Sequence, residues 1–220
     1  MKYYPVCLDV RKKTCLIVGG GAVGTRKVET LIDCDAQVTV VSPAFTDTLL
    51  RLGAEGQITL KQKPYDTTDM NGVFLVIGAT SDMALNRQVS RDAEEMNILC
   101  NIADVPDACN FILPAVVRRG DLQVAISTSG KSPAFAKHVR RALEQQFGEE
   151  YAVFLYLMGE IRQHLLAEAH EPEAHKALFE QLIQGNLLEM IAQKKNHDIN
   201  RLLKDTLGDA FTLDKLDIQI

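Results

Sequence analysis

The sequence has 220 residues, of which 46% are hydrophobic and 24% charged, and its formal net charge is −5. This composition is typical of a globular protein with room for one large domain and a smaller one. No apolar run is long enough to span a membrane, the first residues lack the apolar core of a signal peptide, and the acidic balance argues against nucleic acid. We therefore expect a cytoplasmic protein without membrane or nucleic-acid partners.

Cysteine and histidine are too scattered to predict a metal site. The five cysteines include no C-x-x-C pair, and the five histidines include no H-x-x-x-H pair. We expect buried, reduced thiols and no structural metal.

The first predicted elements are a strand, a tight turn and a helix in the run TCLIVGGGAVGTRK, residues 14–27. Gly19, Gly21 and Gly24 fit the pattern G-x-G-x-x-G. In this pattern the first glycine permits the turn, the second lets the backbone approach a pyrophosphate, and the third lets the helix pack closely on its strand. Ala22 and Val23 open the helix, where free N–H groups bind anions. A plain glycine turn is the alternative, but the strand–turn–helix context favours dinucleotide binding.

Strands and helices then alternate along the chain. Further strands are predicted at 37–41, 58–61, 73–79 and 99–102, with helices at 45–52, ended by Gly53, and at 83–96, capped by Ser81 or Asp82. This alternation predicts a Rossmann-like α/β domain over residues 1–113, with a parallel sheet and helices on both faces. Ligands are expected where the strands end.

The strand ends supply the other candidate cofactor residues. An acidic residue usually binds the ribose at the end of the second strand. This sequence has Ser42 and Pro43 there, so Ser42 is predicted to bond a ribose hydroxyl, and an ordinary turn is the competing interpretation. Because no arginine or lysine stands there, NAD is favoured over NADP. Thr80 and Asn101, near the ends of later strands, are assigned to the same site.

Beyond Asp104 the pattern changes. Strands are predicted at 111–114 and 122–128, followed by the polar loop STSGKSP at 127–133. A helix follows, which Ser132 caps, which continues to about Phe147, and which Gly148 ends. Residues 114–148 are interpreted as a segment for dimerisation and substrate binding. The apolar stripe Phe135, Val139, Leu143 and Phe147 is attributed to core or dimer packing.

Charge is unevenly divided. Residues 115–141 contain six basic residues and one acid. Such a segment suggests a polyanionic partner, although a solvated helix face has the same composition. Residues 149–220 contain more acidic than basic residues. They are predicted to form a small helical domain, with helices at 149–169, 172–184, 187–195 and 197–206. This domain either covers the substrate cleft or packs without touching substrate.

Five stretches together resemble one known family. They are CLIVGGGAVGTRKVETLI, VVSPAF, VIGATSD, CNIADVPDACNFILPAVV and ISTSGKSPAFAKHVRRALE. The sequence from about Tyr4 to Phe147 is similar to precorrin-2 dehydrogenases, the family that includes the N-terminal module of siroheme synthase. The resemblance implies a homodimer that uses NAD to oxidise the tetrapyrrole precorrin-2 to sirohydrochlorin. Some members also insert ferrous iron, and the sequence leaves that second activity open.

The resemblance also assigns residue roles. Asp104 corresponds to the proposed catalytic aspartate, and one carboxylate beside the nicotinamide can accept the proton lost in this oxidation. An Asp that caps a turn before Val105 and Pro106 is the competing interpretation. The loop at 127–133 corresponds to the tetrapyrrole-binding region, and the candidate substrate residues are Ser127, Thr128, Ser129, Gly130, Lys131, Ser132 and Arg140. Thr128 stands where the siroheme synthase branch has a phosphorylated serine, so that regulation is not implied here.

Two other classes of function compete with this interpretation. A regulatory module that binds NAD and signals without chemistry explains the glycine loop but leaves Asp104 and the 127–133 loop unexplained. A short-chain reductase is disfavoured because the sequence contains no Y-x-x-x-K pair.

Overall fold

The computed structural model describes residues 2–103, 105–167 and 172–220. Asp104 and the predicted helix end at 168–169 lie outside the described residues. The chain divides into two compact units, Met1–Leu113 and Pro114–Ile220.

The first unit is an alternating α/β domain, as the sequence predicts. Its elements are β1 (Thr14–Gly20), α1 (Ala22–Ile32), β2 (Gln37–Phe45), α2 (Asp47–Ala54), β3 (Thr59–Gln62), a short 3₁₀ helix (Thr67–Met70), β4 (Leu75–Gly78), α3 (Met83–Glu95), β5 (Leu99–Ile102) and a 3₁₀ turn (Pro106–Ala108). The strands form one parallel sheet in the order β3-β2-β1-β4-β5. The Rossmann-like architecture is confirmed.

Apolar side chains cover both faces of this sheet. Alternate residues of β1 point to opposite faces, as the pleat of a strand requires. Cys15 and Ile17 pack with α1 and α2, whereas Leu16 and Val18 pack with α3 and Met70. The sheet is therefore buried on both sides, and ligands have access only at its edges and ends.

The predicted boundaries around β2 and α2 are wrong, and the helix predicted to begin at residue 45 begins at Asp47. The second strand continues to Phe45, because an irregularity after Val18 lets Gly20 pair with Phe45. Gly53 does not end α2, which continues to Ala54. A side chain at Gly53 would have its Cβ 2.7 Å from Leu60 Cδ1, so this glycine lets the helix lie close to β3.

The predicted strand at 111–114 is also wrong. The Asn110 side chain bonds the outer edge of β5: its Oδ1 accepts from Cys100 N at 2.7 Å, and its Nδ2 donates to Ile98 O at 2.9 Å. Asn101 Nδ2 donates to Phe111 O at 3.1 Å. Amide side chains thus take the place of a further strand, which hydrophobic periodicity cannot reveal.

The second unit combines a hairpin with helices. Its elements are β6 (Ala115–Arg119), β7 (Leu122–Ile126), α4 (Pro133–Gln146), α5 (Glu150–Ala167), α6 (Pro172–Gln184), α7 (Leu187–Ala192) and α8 (Asn196–Leu207). Strand β6, which the sequence did not predict, pairs with β7 in an antiparallel hairpin. Gly120, with φ of +54°, makes the tight turn between them.

The helices α5 to α8 form their own core. Buried residues on each of them, including Ile161, Leu182, Ile191 and Leu203, pack together with Phe211 and Leu216 from the last segment of the chain. Among the described residues, no helix is long and apolar enough to cross a membrane.

The cysteines are free thiols but are not all buried. Cys15 and Cys100 lie within strands, and burial raises the pKa of Cys15 to about 11 and that of Cys100 to about 12. Cys7 and Cys34 are exposed, which corrects the expectation for those two.

Candidate functional site

Each position of the glycine motif requires glycine for a different structural reason. Gly19 has φ of +118°, and a Cβ there would lie 2.5 Å from Ala79 O on the neighbouring chain segment. At Gly24 a Cβ would overlap Gly19 O, so the glycine lets α1 pack on β1 as predicted. A Cβ at Gly21 would meet nothing within 4 Å. The second glycine is therefore open towards solvent, as the close approach of a ligand requires.

The N-terminus of α1 is available to an anion. Gly21 is its N-cap residue, and among the described residues no side chain caps the helix or places a negative charge in its first turn. Since the first N–H groups of a helix have no partner within it, they can donate to phosphate oxygens. The loop and the helix start together form a candidate anion site.

A cleft of about 1030 Å³ lies next to this anion site. It is built from the ends of β1, β2 and β4, the start of α1, the chain after β3, and one side of α3. The lining residues are Val18, Gly19, Gly20, Gly21, Ala22, Val23, Val41, Ser42, Pro43, Pro64, Tyr65, Ala79, Thr80, Ser81, Asp82, Ala84, Leu85, Gln88, Arg91 and Ala103.

Most of the predicted cofactor residues line this cleft: Gly19, Gly21, Ala22, Val23, Ser42, Pro43 and Thr80. Gly24 and Asn101 do not. Gly24 is buried beneath the glycine loop, and the Asn101 amide bonds Phe111 O. Their part in cofactor binding stays a prediction.

The turn after β4 is fixed by side-chain hydrogen bonds. The Thr80 hydroxyl lies 3.0 Å from Asn86 Oδ1, and Asn86 Nδ2 donates to Thr80 O at 3.0 Å. Asn86 is only 2% exposed. Asp82 caps α3 by accepting from Ala84 N and Leu85 N. This side of the cleft is thus preorganised.

Two lysines lie near the end of β2, Lys61 on the neighbouring strand β3 and Lys63 just after it, and both are paired. Lys61 stands beside Val41 in the register, and its Nζ lies 3.1 Å from Asp69 Oδ1. Lys63 Nζ lies 2.5 Å from Asp69 Oδ2. Burial opposes ionisation of Asp69, but the bonds from Lys63 and Lys61 outweigh it and lower its pKa. The ammonium groups of both lysines are therefore paired with the Asp69 carboxylate.

The sequence interpretation missed three polar side chains in the cleft: Tyr65, Gln88 and Arg91. Arg91 stands 48 positions after Pro43, so a search around the second strand could not find it. Gln88 and Arg91 lie one turn apart on α3, and that helical spacing is the only sequence signal that groups them.

The candidate substrate residues lie in the second unit. In the 127–133 loop, Ser129 and Gly130 have positive φ angles of 53° and 79°. Ser129 N donates to Ser127 Oγ at 3.1 Å, and Ser132 N donates to Thr128 Oγ1 at 3.2 Å. Ser132 Oγ accepts from Phe135 N at 3.1 Å, which confirms the predicted cap of α4.

Arg140 and Lys131, the two basic candidates in this unit, differ in whether an acidic side chain already pairs with them. Arg140 pairs with Glu144 one turn on in α4, with 2.5 Å between Nη1 and Oε1. Lys131 is exposed at the tip of the loop. Glu144 therefore competes with a carboxylate ligand for Arg140 but not for Lys131.

The parallel sheet, the glycine loop and the cleft at the strand ends define a dinucleotide-binding protein of the Rossmann type. Residues 6–115 match the model of a family described as putative NAD(P)-binding, and residues 119–146 match that of the sirohaem biosynthesis protein central domain. The chain belongs to this NAD(P)-binding family.

Similar proteins agree with the resemblance found in the sequence. The chain is 35% identical to a siroheme synthase of Methylococcus capsulatus over 96% of its own length and 44% of the relative's. It is 32% identical to a siroheme synthase of Pseudoalteromonas atlantica, over 94% and 45%. A solved structure of SirC, precorrin-2 dehydrogenase, is 27% identical with a TM-score of 0.76, covering 92% of this chain and 100% of that one. The chain thus spans less than half the length of these curated relatives but the whole of SirC.

Proposed function

We propose that this protein is an NAD-dependent dehydrogenase that oxidises precorrin-2 to sirohydrochlorin in siroheme biosynthesis. The similarity to SirC over the full length of that protein is the observation that carries the proposal. The cleft beside the glycine loop supports the proposed binding of the cofactor. The STSGKSP loop and its lysine support the proposed binding of the substrate.

NAD, when bound, supplies the acceptor for the hydride that leaves the tetrapyrrole carbon. The protein's own task is to hold both partners and to accept a proton. The N–H groups at the start of α1 bind the pyrophosphate, and Ser42 bonds a ribose hydroxyl. We assign the proton to Asp104, which directly follows Ala103. Ala103 lines the cleft, and its N–H bonds Gly78 O at 2.8 Å.

The second unit supplies the contacts to the substrate carboxylates in this proposal. Ser127, Thr128, Ser129, Gly130 and Ser132 form the loop, and Lys131 and Arg140 supply positive charge. Ferrous iron, where it is inserted, is a second substrate held by the tetrapyrrole nitrogens. Within the residues that the structure describes, no cluster of His, Cys, Asp or Glu has the geometry of a metal site.

We also propose that the protein is a cytoplasmic homodimer, as the family resemblance implies. Val116 on β6 and Phe135 on α4 are 41% and 57% exposed, although both are large apolar residues. A second copy of the chain that covers these side chains would remove them from water.

The proposed reaction has a direct assay. Incubation of the purified protein with precorrin-2 and NAD should generate NADH absorbance together with sirohydrochlorin. A parallel incubation of sirohydrochlorin with ferrous iron decides whether metal insertion accompanies dehydrogenation.

We predict that NADP binds more weakly than NAD by about tenfold or more, which is about 1.4 kcal/mol. The reason is that the lysines beside the end of β2 are held by Asp69, so a 2′-phosphate there would lose water without gaining an unpaired lysine. Calorimetric titration with both dinucleotides measures the difference. Equal affinities would contradict it, and a loss of NADP binding in Arg91→Ala alone would identify Arg91 as the cation.

We predict that Lys131→Ala raises the KM for the tetrapyrrole by about two- to fivefold, the range of an exposed ion pair. The effect should shrink with added salt, because a screened attraction is lost. Arg140→Ala should have the smaller effect, since Glu144 already engages Arg140. NAD affinity should not change.

Lys176→Ala is the control for this pair of variants, because Lys176 is an exposed helical lysine outside the loop and α4. A KM that neither Lys131→Ala nor Arg140→Ala changes at any salt concentration would make the basic segment an ordinary solvated surface.

A further inference from the structure

One end of the cleft is not formed by the glycine loop. After β3 ends at Gln62, the chain passes along the cleft through Pro64 and Tyr65, while α3 contributes Gln88 and Arg91. Residues 63–66 belong to no strand or helix. The shape of this end therefore depends on side-chain contacts between that connection and α3.

Asp92 makes those contacts. The Tyr65 hydroxyl donates to Asp92 Oδ2 at 2.8 Å, and the Thr67 hydroxyl donates to the same oxygen at 2.9 Å. Asp92 directly follows Arg91 and stands one turn after Gln88 in α3. One carboxylate oxygen thus links the two chain segments that form this end of the cleft.

Tyr65 is suited to a lasting contact of this kind. Burial, and then its hydrogen bond to Asp92, raise the pKa of Tyr65 above its ordinary value. The phenol therefore keeps its proton at neutral pH and remains a donor. Hydrogen bonds to a charged acceptor are also stronger than those between neutral groups.

Contacts other than those to Asp92 also hold the connection in place. Asp66 caps the 3₁₀ helix by accepting from Thr68 N at 3.0 Å, and buried Asp69 holds Lys61 and Lys63. Met70 is 1% exposed and packs in the core beneath α3. These contacts do not fix the orientation of the Tyr65 ring. The hydrogen bond to Asp92 does.

We propose that Asp92 is a positioning residue for the dinucleotide: through Tyr65 and Thr67 it fixes the Pro64–Tyr65 side of the cleft relative to α3. This inference rests on the proposed binding of NAD in the cleft. Asp92 itself does not line the cleft and so acts through the Tyr65 ring, which does.

The test is a double-variant cycle on NAD affinity. Asp92→Ala and Tyr65→Phe should each weaken NAD binding by about three- to tenfold, the range for one hydrogen bond. The double variant should be no weaker than the weaker single variant, because both changes break the same bond. Asp92→Asn keeps an acceptor oxygen and should recover part of the affinity. The KM for NAD should rise while kcat stays unchanged.

Glu94→Ala is the matched control, because Glu94 is exposed on the same helix and does not line the cleft. If the losses of NAD affinity in the two single variants add up in the double variant, or if all variants bind NAD as the unsubstituted protein does, Asp92 is not a positioning residue. Either result leaves the proposed function intact. Absence of NAD binding in the unsubstituted protein would overturn the proposed function and this inference together. If Asp92→Ala does not fold, Asp92→Asn and Tyr65→Phe form the cycle.

Discussion

Asp104→Asn is expected to lower turnover of precorrin-2 by about 10²- to 10⁴-fold, the usual contribution of a general base. Asparagine keeps the size of the side chain and an oxygen for hydrogen bonding, but it cannot take up the proton. Steady-state kinetics gives the loss, and calorimetry and thermal unfolding should show NAD affinity and stability close to those of the unsubstituted protein.

Asp107→Asn is the control for this change, because Asp107 is an exposed aspartate in the 3₁₀ turn that follows. An Asp104→Asn variant that unfolds would favour the turn-capping interpretation. A folded variant that binds NAD and keeps its normal rate would remove Asp104 as the base.

The same variant bears on metal insertion, because pyrrole nitrogens must also lose protons before iron is bound. Loss of both reactions with substrate binding intact would indicate that one carboxylate serves both. If the variant still inserts iron, metal insertion depends on other residues or needs no base from the protein.

Gly21→Val is expected to weaken NAD binding by at least about 2 kcal/mol, the cost of a severe packing clash. The backbone at Gly21 has φ of −85° and ψ of −173°, which valine adopts without strain. No protein atom lies within 4 Å of an added Cβ. The fold should therefore survive, and the new side chain should occupy the space of the phosphate oxygens. Calorimetry measures the affinity.

Gly159→Val is the control for the glycine change. Gly159 lies within α5, and an added Cβ there also meets no atom within 4 Å. It should leave NAD affinity unchanged. If a folded Gly21→Val variant bound NAD with normal affinity, the glycine loop would not be part of the cofactor site.

The parts of the fold that were predictable are those with a local signal. Alternating apolar runs and glycines located β1, β4 and α1, because a buried strand and a glycine turn each require a particular composition. Ser132 and Pro133 likewise located the start of α4 within one residue. These features depend on residues that are adjacent in the chain.

The parts that were missed depend on residues distant in the chain. The Asn110 side chain replaces a strand along β5, and Gly53 lies within α2 because its missing side chain leaves room for Leu60. In the cleft, Tyr65 and Arg91 are brought together only by the fold. No periodicity or motif within a single segment carries such information, so the glycine loop was found and the far end of the cleft was not.

In the proposed function this chain transfers a hydride from precorrin-2 to NAD. The most direct measurement is the stoichiometry of the purified protein's reaction, with NADH and sirohydrochlorin followed in the same sample. We expect one NADH for each sirohydrochlorin formed, and no product when NAD is omitted. Tight NAD binding with no NADH formed from precorrin-2 would contradict the proposed dehydrogenase activity and favour a module that senses NAD without chemistry.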